Sequence, residues 1–170
     1  MTVEIKLTKS FIAIVDDCDA DLAQVNWYSV ARKTSTSVYA ARKVFSADTS
    51  TKQTMQYLHR VVLSRIVGRE LQPSELTDHI NGNKCDCRRE NLRLATPAQN
   101  VANQTLRSNN KSGFKGVAWH KPSKKWRAAI GTRGRQQWLG YFDDPADAHA
   151  AYVEAIKNTY GEFANDGTVR

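Results

Sequence analysis

The chain has 170 residues and a net charge of +8 at pH 7, a length that suits one ordinary domain or several small modules with modest cores. Phe11 to Val15, the longest early apolar run, is too short to cross a bilayer, and the start lacks the basic-then-apolar pattern of a signal peptide. A soluble, cytoplasmic protein without a membrane partner is expected, with Cys18, Cys85 and Cys87 reduced, and the excess positive charge points to a polyanionic partner.

Residues 1–54 read as a β-rich region, with strands at Val3 to Leu7, Phe11 to Val15, Trp27 to Val30 and Val38 to Phe45. Asp16 to Asp21 lacks the glycine and terminal glutamate of a calcium loop, so a solvated turn or helix N-terminus is expected there. Ser46 to Lys52 is polar and aperiodic, which predicts a flexible loop before Met55 to Val67 resumes a buried pattern. In that pattern His59 reads as a hydrogen-bonded structural histidine, with a catalytic histidine as the alternative, and Arg60 as a phosphate contact or the partner of a local carboxylate.

Residues 55–104 carry the chemistry. Asn81-Gly82 is a strong turn signal, so Asp78 and His79 end one strand of a ribbon and Asn91 opens the return. Thr96, Pro97 and Gln99 supply an N-cap, a first-turn proline and a capping-box partner, which puts Asn100 in the first turn of a helix. Strand, loop, strand and helix can bring a carboxylate, an imidazole and an amide oxygen to one point. A hard cation such as Mg²⁺ (or Mn²⁺) takes only one or two protein oxygens, so Asp78 and Asn100 suffice as ligands. His79 can remove a proton from the attacking water, and Asn91 can hold the loop or the imidazole. Lys84, Arg88, Arg89 and Arg93 are candidate phosphate contacts. Structural zinc needs four ligands, and Cys85 and Cys87 have only Cys18 besides, so zinc is not expected. No small-molecule cofactor is implied.

At Asp78-His79, Asn91 and Asn100, in that order and at that spacing, the chain resembles the HNH endonuclease family, whose ββα-metal motif carries an aspartate-histidine pair, a middle asparagine and a final histidine or asparagine. The resemblance implies hydrolysis of DNA phosphodiester bonds, with Asp78 and Asn100 on the metal and His79 as general base. It extends over Phe11 to Asp17, Trp27-Tyr28, Tyr39-Ala-Ala-Arg42, Leu58-His-Arg60 and Arg88-Arg89-Glu90-Asn91-Leu92-Arg93, which look like the β-rich lead-in and loop of phage and mobile-element members.

Residues 105–112 are polar and aperiodic and read as a linker to a last module, 113–170. Arg107 to Arg135 holds nine basic residues (Arg107, Lys111, Lys115, Lys121, Lys124, Lys125, Arg127, Arg133 and Arg135) and no acidic one, interleaved with Phe114, Trp119 and Trp126. That pattern suits nucleic-acid binding. Strands are expected at Phe114 to Trp119, Trp126 to Gly131 and Gln136 to Phe142, then a helix capped by Asp144, opened by Pro145 and ended at Gly161. Ala148, Ala151, Tyr152, Ala155 and Ile156 recur at helical spacing. Strand parity turns Trp126, Ala128 and Ile130 toward that helix and Lys125, Arg127 and Ala129 to an open face. Trp138 lies opposite Leu139 in parity and reads either as core or as a stacking surface, and His149 reads as solvent-facing.

Ser112-Gly-Phe-Lys-Gly-Val117, Lys125-Trp126, Trp138-Leu-Gly-Tyr-Phe142, Ala148 to Tyr152 and Gly161-Glu-Phe-Ala-Asn165 resemble the DNA-binding domain of plant ethylene-response factors, the APETALA type. That resemblance implies a three-stranded antiparallel sheet on one helix, with Lys115, His120, Arg127, Gln136 and Trp138 facing DNA. Ala118, Gly131 and Gln136 stand where the plant domains use arginine, so phosphate contact and stacking are expected in place of their base readout. The two resemblances together imply an α+β chain that cuts double-stranded DNA, as a homing endonuclease of a phage or mobile element does. The rival readings are a weak or inactive DNA-binding regulator on the same scaffold, and an RNA-directed role. The sequence is neutral between monomer and dimer.

Overall fold

Alternation of apolar and polar residues builds the first hairpin. In this computed structural model, which describes residues 1–31, 37–46, 49–132 and 134–168, strand β1 (Thr2–Lys6) pairs antiparallel with β2 (Ile12–Asp16). Ile5 lies opposite Ala13 and Val3 opposite Val15, and Ile5, Ala13 and Val15 are buried on one face. The chain divides into two compact units, 1–94 and 95–170, in a mixed α and β architecture of small sheets. Arg133 of the basic segment lies outside the described residues, as do 47–48 of the expected loop.

In the first unit, the acidic stretch after β2 takes the second of the two forms expected of it, a helix N-terminus, but it is not solvated throughout. It forms a 3-10 helix (Asp17–Gln24), and Asp19 is fully buried because two guanidinium groups close on it. Arg65 Nη1 lies 2.9 Å from Oδ1 and Arg89 Nε 2.8 Å from Oδ2. Burial opposes ionisation of Asp19, but the bonds from Arg89 and Arg65 outweigh it and hold the carboxyl below its usual range.

Strands β3 (Tyr28–Ala31), β4 (Val38–Ser46) and β5 (Thr49–Tyr57) form an antiparallel sheet in that order. Residues 49–52, expected as loop, belong to β5, which pairs with β4 through Thr49, opposite Ser46, and again from Gln53, opposite Phe45, without any apolar alternation in the sequence. Helix α1 (Leu58–Val67) follows at once and buries Leu58, Val62 and Leu63 in a core with Val15, Trp27 and Leu92. Gly68 ends it in the left-handed conformation, φ 71°. Arg60 is engaged with backbone carbonyls. Its guanidinium donates to the backbone carbonyls of Glu75 (2.7 Å) and Gln72 (3.0 Å), tying down the loop before β6 (Leu76–His79).

β6 pairs with β7 (Leu92–Ala95), and the chain passes through Thr96 into α2 (Pro97–Ala102) in the second unit. There β8 (Val117–His120), β9 (Lys125–Thr132) and β10 (Arg135–Phe142) form a three-stranded antiparallel sheet with β9 central, packed on α3 (Pro145–Tyr160). Asp144 caps α3 by accepting from Ala146 N at 2.6 Å, and Ala148, Tyr152 and Ile156 line its buried side. Ala128 and Ile130 meet them from β9, as strand parity requires.

Phe114 stays out of β8, which starts only at Val117. Ser112 Oγ lies 2.9 Å from both the Phe114 and Val117 carbonyls, which share its one proton, and Gly116 turns at φ +77°. A Cβ at Gly116 would sit 2.0 Å from the Tyr152 ring, so only glycine fits. His149, read as solvent-facing, is half-buried: Nδ1 lies 3.0 Å from the Lys115 carbonyl and its ring stacks on Tyr152. Among the described residues no helix is long and apolar enough to cross a membrane.

Candidate active site

Asp78 and His79 end β6, and both are 1% exposed. Two such groups can be buried only where polar neighbours answer them. For Asp78 that neighbour is Arg93, one residue into β7, whose Nε donates to Oδ2 at 2.9 Å. His79 is packed by rings: it meets His59 of α1 edge to face at 5.2 Å and Tyr39 of β4 at 6.4 Å. Tyr57 completes the cluster 5.5 Å from His59.

This setting decides protonation. Desolvation, with smaller contributions from His59 and Lys84, pushes the His79 pKa down to about 2. Desolvation, then Arg60 and Lys84, pushes His59 down to about 3. Both imidazoles are therefore neutral at pH 7. Burial also lowers the Lys84 pKa, against the pull of the Asp78 carboxylate, so an amine and a carboxyl sense one another beside the histidines.

The loop between the strands runs over residues 80–91, so the return strand opens one residue after the Asn91 expected, and side chains hold the loop. Asn91, in a 3-10 turn (Arg89–Asn91) just before β7, accepts from Asn81 N at 2.9 Å and donates to the Asp86 carbonyl at 2.7 Å. Asp86, 3% exposed, in turn accepts from Asn81 Nδ2 at 2.8 Å and from Arg88. Gly82, at φ +77°, donates to the His79 carbonyl at 2.9 Å, so the turn begins on the histidine itself. Cys87, directly after Asp86 in the chain, is fully buried, and burial raises its thiol well above the ordinary range, as it raises that of Cys85.

The structure thus brings Asp78, His79, Lys84, Asn91 and Arg93 together in the first unit. Arg88 is paired with Asp86 and Glu90, and Arg89 with Asp19. Asn100 sits on α2 of the second unit, behind a capping box in which Thr96 and Gln99 bond reciprocally. On the open face of the second unit's sheet, the Arg127 guanidinium lies 4.1 Å from the Trp138 ring centroid, and His120 packs on Tyr141 at 4.9 Å. Trp138 is 53% exposed, which resolves its reading in favour of a surface ring, and Gln136 is exposed beside it. Lys125 reaches Asp143 at 3.1 Å. Lys115 donates its ammonium to the carbonyls of Ala102 and Asn165.

His59, read from the sequence as a hydrogen-bonded structural histidine or a catalytic one, packs against the site without the hydrogen bond expected at Nδ1: that atom finds no partner among the described residues, and the ring is set against His79. The signal was its place in the first turn of an apolar helix, which distinguishes a core histidine from a site histidine only once the opposing strand is known.

Residues 56–102 match a family model described as HNH endonuclease. Protein 3.8 of Escherichia phage T7 is 41% identical over 59 residues, which cover 35% of this chain and 49% of that protein. An uncharacterised HNH endonuclease of Acanthamoeba polyphaga mimivirus is 29% identical over 107 residues, covering 63% of this chain and 54% of that protein. The chain thus spans about half the length of the curated relatives it matches. No solved structure matches. The stretch from 56 to 102, which contains Asp78, His79, Asn91 and Asn100, is an HNH endonuclease domain.

Proposed function

We propose that the chain is a metal-dependent DNA endonuclease of the homing type, hydrolysing phosphodiester bonds in duplex DNA, with β6, β7 and α2 as a ββα-metal motif and the C-terminal unit as a DNA grip of the ethylene-response-factor kind. The observation that carries the reading is His79, a buried imidazole kept neutral beside Asp78 within a segment that matches the HNH endonuclease family. Both relatives are viral proteins, in keeping with a phage or mobile-element origin.

A neutral imidazole has a lone pair with which to take the proton of an attacking water. At about 2, the His79 pKa makes it a weak base in the free protein. A scissile phosphate is an anion, and an anion beside an imidazole raises its pKa, so the base gains strength where substrate seats. Arg93 fixes the direction of the Asp78 carboxylate, and Asn91 fixes the loop that starts at His79. Lys84 is the candidate to meet the phosphate, whose negative charge would oppose the lowering of its pKa by burial and favour the ammonium form.

Asp78 and Asn100 are the oxygen donors assigned to Mg²⁺ or Mn²⁺. One anionic and one neutral oxygen suit a hard ion that keeps most of its waters, and no group of three His, Cys, Asp or Glu among the described residues offers a different cage. When bound, such an ion supplies Lewis-acid stabilisation of charge on the scissile phosphate and the leaving oxygen.

For the grip, His120, Lys125, Arg127, Gln136 and Trp138 share the open sheet face with exposed Tyr141, a mixture of cations and rings suited to phosphates and sugars or bases. Incubation of the purified chain with phage or plasmid duplex, with Mg²⁺, with Mn²⁺ and with chelator, tests the reading. Cutting that requires the ion supports it. Binding without nicking at any protein concentration favours a DNA-binding regulator, and preferential cutting of structured RNA moves the substrate to RNA.

A further inference from the structure

The helix that bears Asn100 is too short to stand alone. α2 has 6 residues, and an isolated helix of that size does not hold its hydrogen bonds in water. Its order must come from its ends and from what it packs on. The Thr96–Gln99 box closes the N-terminal end. The C-terminal end is closed by the rest of the second unit. Ala102 is buried in a core with Ile130, Tyr152, Ile156 and Ala164. Its carbonyl accepts from Lys115 Nζ at 2.7 Å and from Asn165 N at 3.2 Å.

Lys115 also donates to the Asn165 carbonyl at 2.8 Å, and its Nζ lies 5.9 Å from the Tyr152 ring centroid. Asn165 is 3% exposed and locked in its own turn, accepting from Gly167 N at 2.7 Å and donating to the Thr168 carbonyl at 3.1 Å. A cation that hydrogen-bonds the last carbonyls of a helix is a recognised C-terminal closure.

We propose that Lys115 is a positioning residue for Asn100: through the Ala102 and Asn165 carbonyls its ammonium clamps the end of α2 to the sheet-and-helix unit and fixes the turn from which the asparagine projects. The functional part of this rests on the assignment of Asn100 as a metal donor. Two consequences follow. Lys115 lies in the basic segment without serving as one of its phosphate contacts, and the C-terminal unit serves cleavage as well as grip, because it holds the helix that presents Asn100.

The test uses the full chain with Lys115→Met, Lys115→Gln and Lys115→Arg, and with Asn100→Ala made separately. Hydrogen exchange is read at the Asn100 and Asn103 amides, which bond the Thr96 and Gln99 carbonyls, against the amides of β9. Mn²⁺ affinity is read by paramagnetic resonance without DNA, and DNA affinity in chelator. Lys115→Met is expected to speed exchange in α2 about tenfold while β9 is unchanged. Mn²⁺ affinity should weaken by about 10–100-fold, and DNA affinity should stay within about twofold. Lys115→Arg, which can still donate to both carbonyls, should recover most of the loss. If Lys115→Met does not fold, Lys115→Gln is read in the same way. Unchanged exchange in α2 together with weaker DNA binding and a shallower salt dependence overturns the clamp and makes Lys115 a phosphate contact. If Asn100→Ala binds Mn²⁺ as the unaltered chain does, the metal assignment fails by itself, and the clamp still stands or falls on exchange in α2.

Discussion

His79 is 1% exposed and Trp138 is 53% exposed, and the same contrast separates the regions around them. Around His79 the charges are few, and the central pair is buried and fixed, Asp78 by Arg93. On the sheet face that carries Trp138 the charges reach solvent: Arg127 is half-buried over the Trp138 ring, and Lys125 pairs with Asp143 through side chains 43% and 85% exposed. The difference teaches that one kind of contact has two purposes. A proton acceptor needs desolvation and a fixed direction, whereas a surface that follows a polyanion needs reach and water around it. A mutation of the same chemical type should therefore act on stability and chemistry in the first region and on affinity and salt dependence in the second.

The largest effect is expected from Asp78→Ala, which leaves the Arg93 guanidinium buried without the carboxylate its Nε bonds. Loss of one partner from a buried pair costs about 3–5 kcal/mol, to be read by chemical denaturation. A loss no larger than a surface pair would give would erase the contrast between the regions.

Next comes acid. His59 and His79 stay neutral in the fold, with pKa values of about 3 and about 2, while the unfolded chain protonates them near 6.5. Between those limits the unfolded state binds more protons, so stability present at neutral pH is lost as pH falls from about 6.5 toward 3. The slope should approach about 1.4 kcal/mol per pH unit for each imidazole. Denaturation at stepped pH should show His59→Phe with about half the slope of the unaltered chain; parallel curves would place the acid sensitivity elsewhere.

In the second region Trp138→Ala should weaken DNA binding by about 1–3 kcal/mol and leave the melting temperature nearly unchanged. Arg127→Ala should lower the salt slope of binding by about 1, as measured by titration across salt concentrations. The smallest effect is assigned to Lys125→Ala, under about 1 kcal/mol of stability, since an exposed pair is screened.

Much of this was written in the chain because local rules carry it. Asp144, Pro145 and Gly161 bound α3, Thr96 and Gln99 cap α2, and strand parity sorts Ala128 and Ile130 from Lys125 and Arg127, each from neighbours within a few residues. What escaped depends on distant partners. Residues 49–52 join β5, whose pairing with β4 starts at Thr49 and resumes at Gln53, and no local pattern announces it. Asp19 is buried only because Arg65 and Arg89 arrive from far along the chain. In the candidate site Asp78 and His79 were legible as a pair beside a turn, but His59, the role of Arg93 as the carboxylate's partner, and the commitment of Lys115 to two carbonyls all follow from tertiary packing.

The account turns on His79 as the group that takes the proton from water. Its most direct test is single-turnover cleavage of saturating duplex DNA in Mg²⁺ by His79→Gln, a change that keeps a polar side chain and removes the imidazole, with binding measured on the same samples in chelator. The account predicts a rate lower by about 10²–10⁴-fold with DNA affinity within about twofold. Cleavage at close to the unaltered rate with DNA fully bound would contradict it.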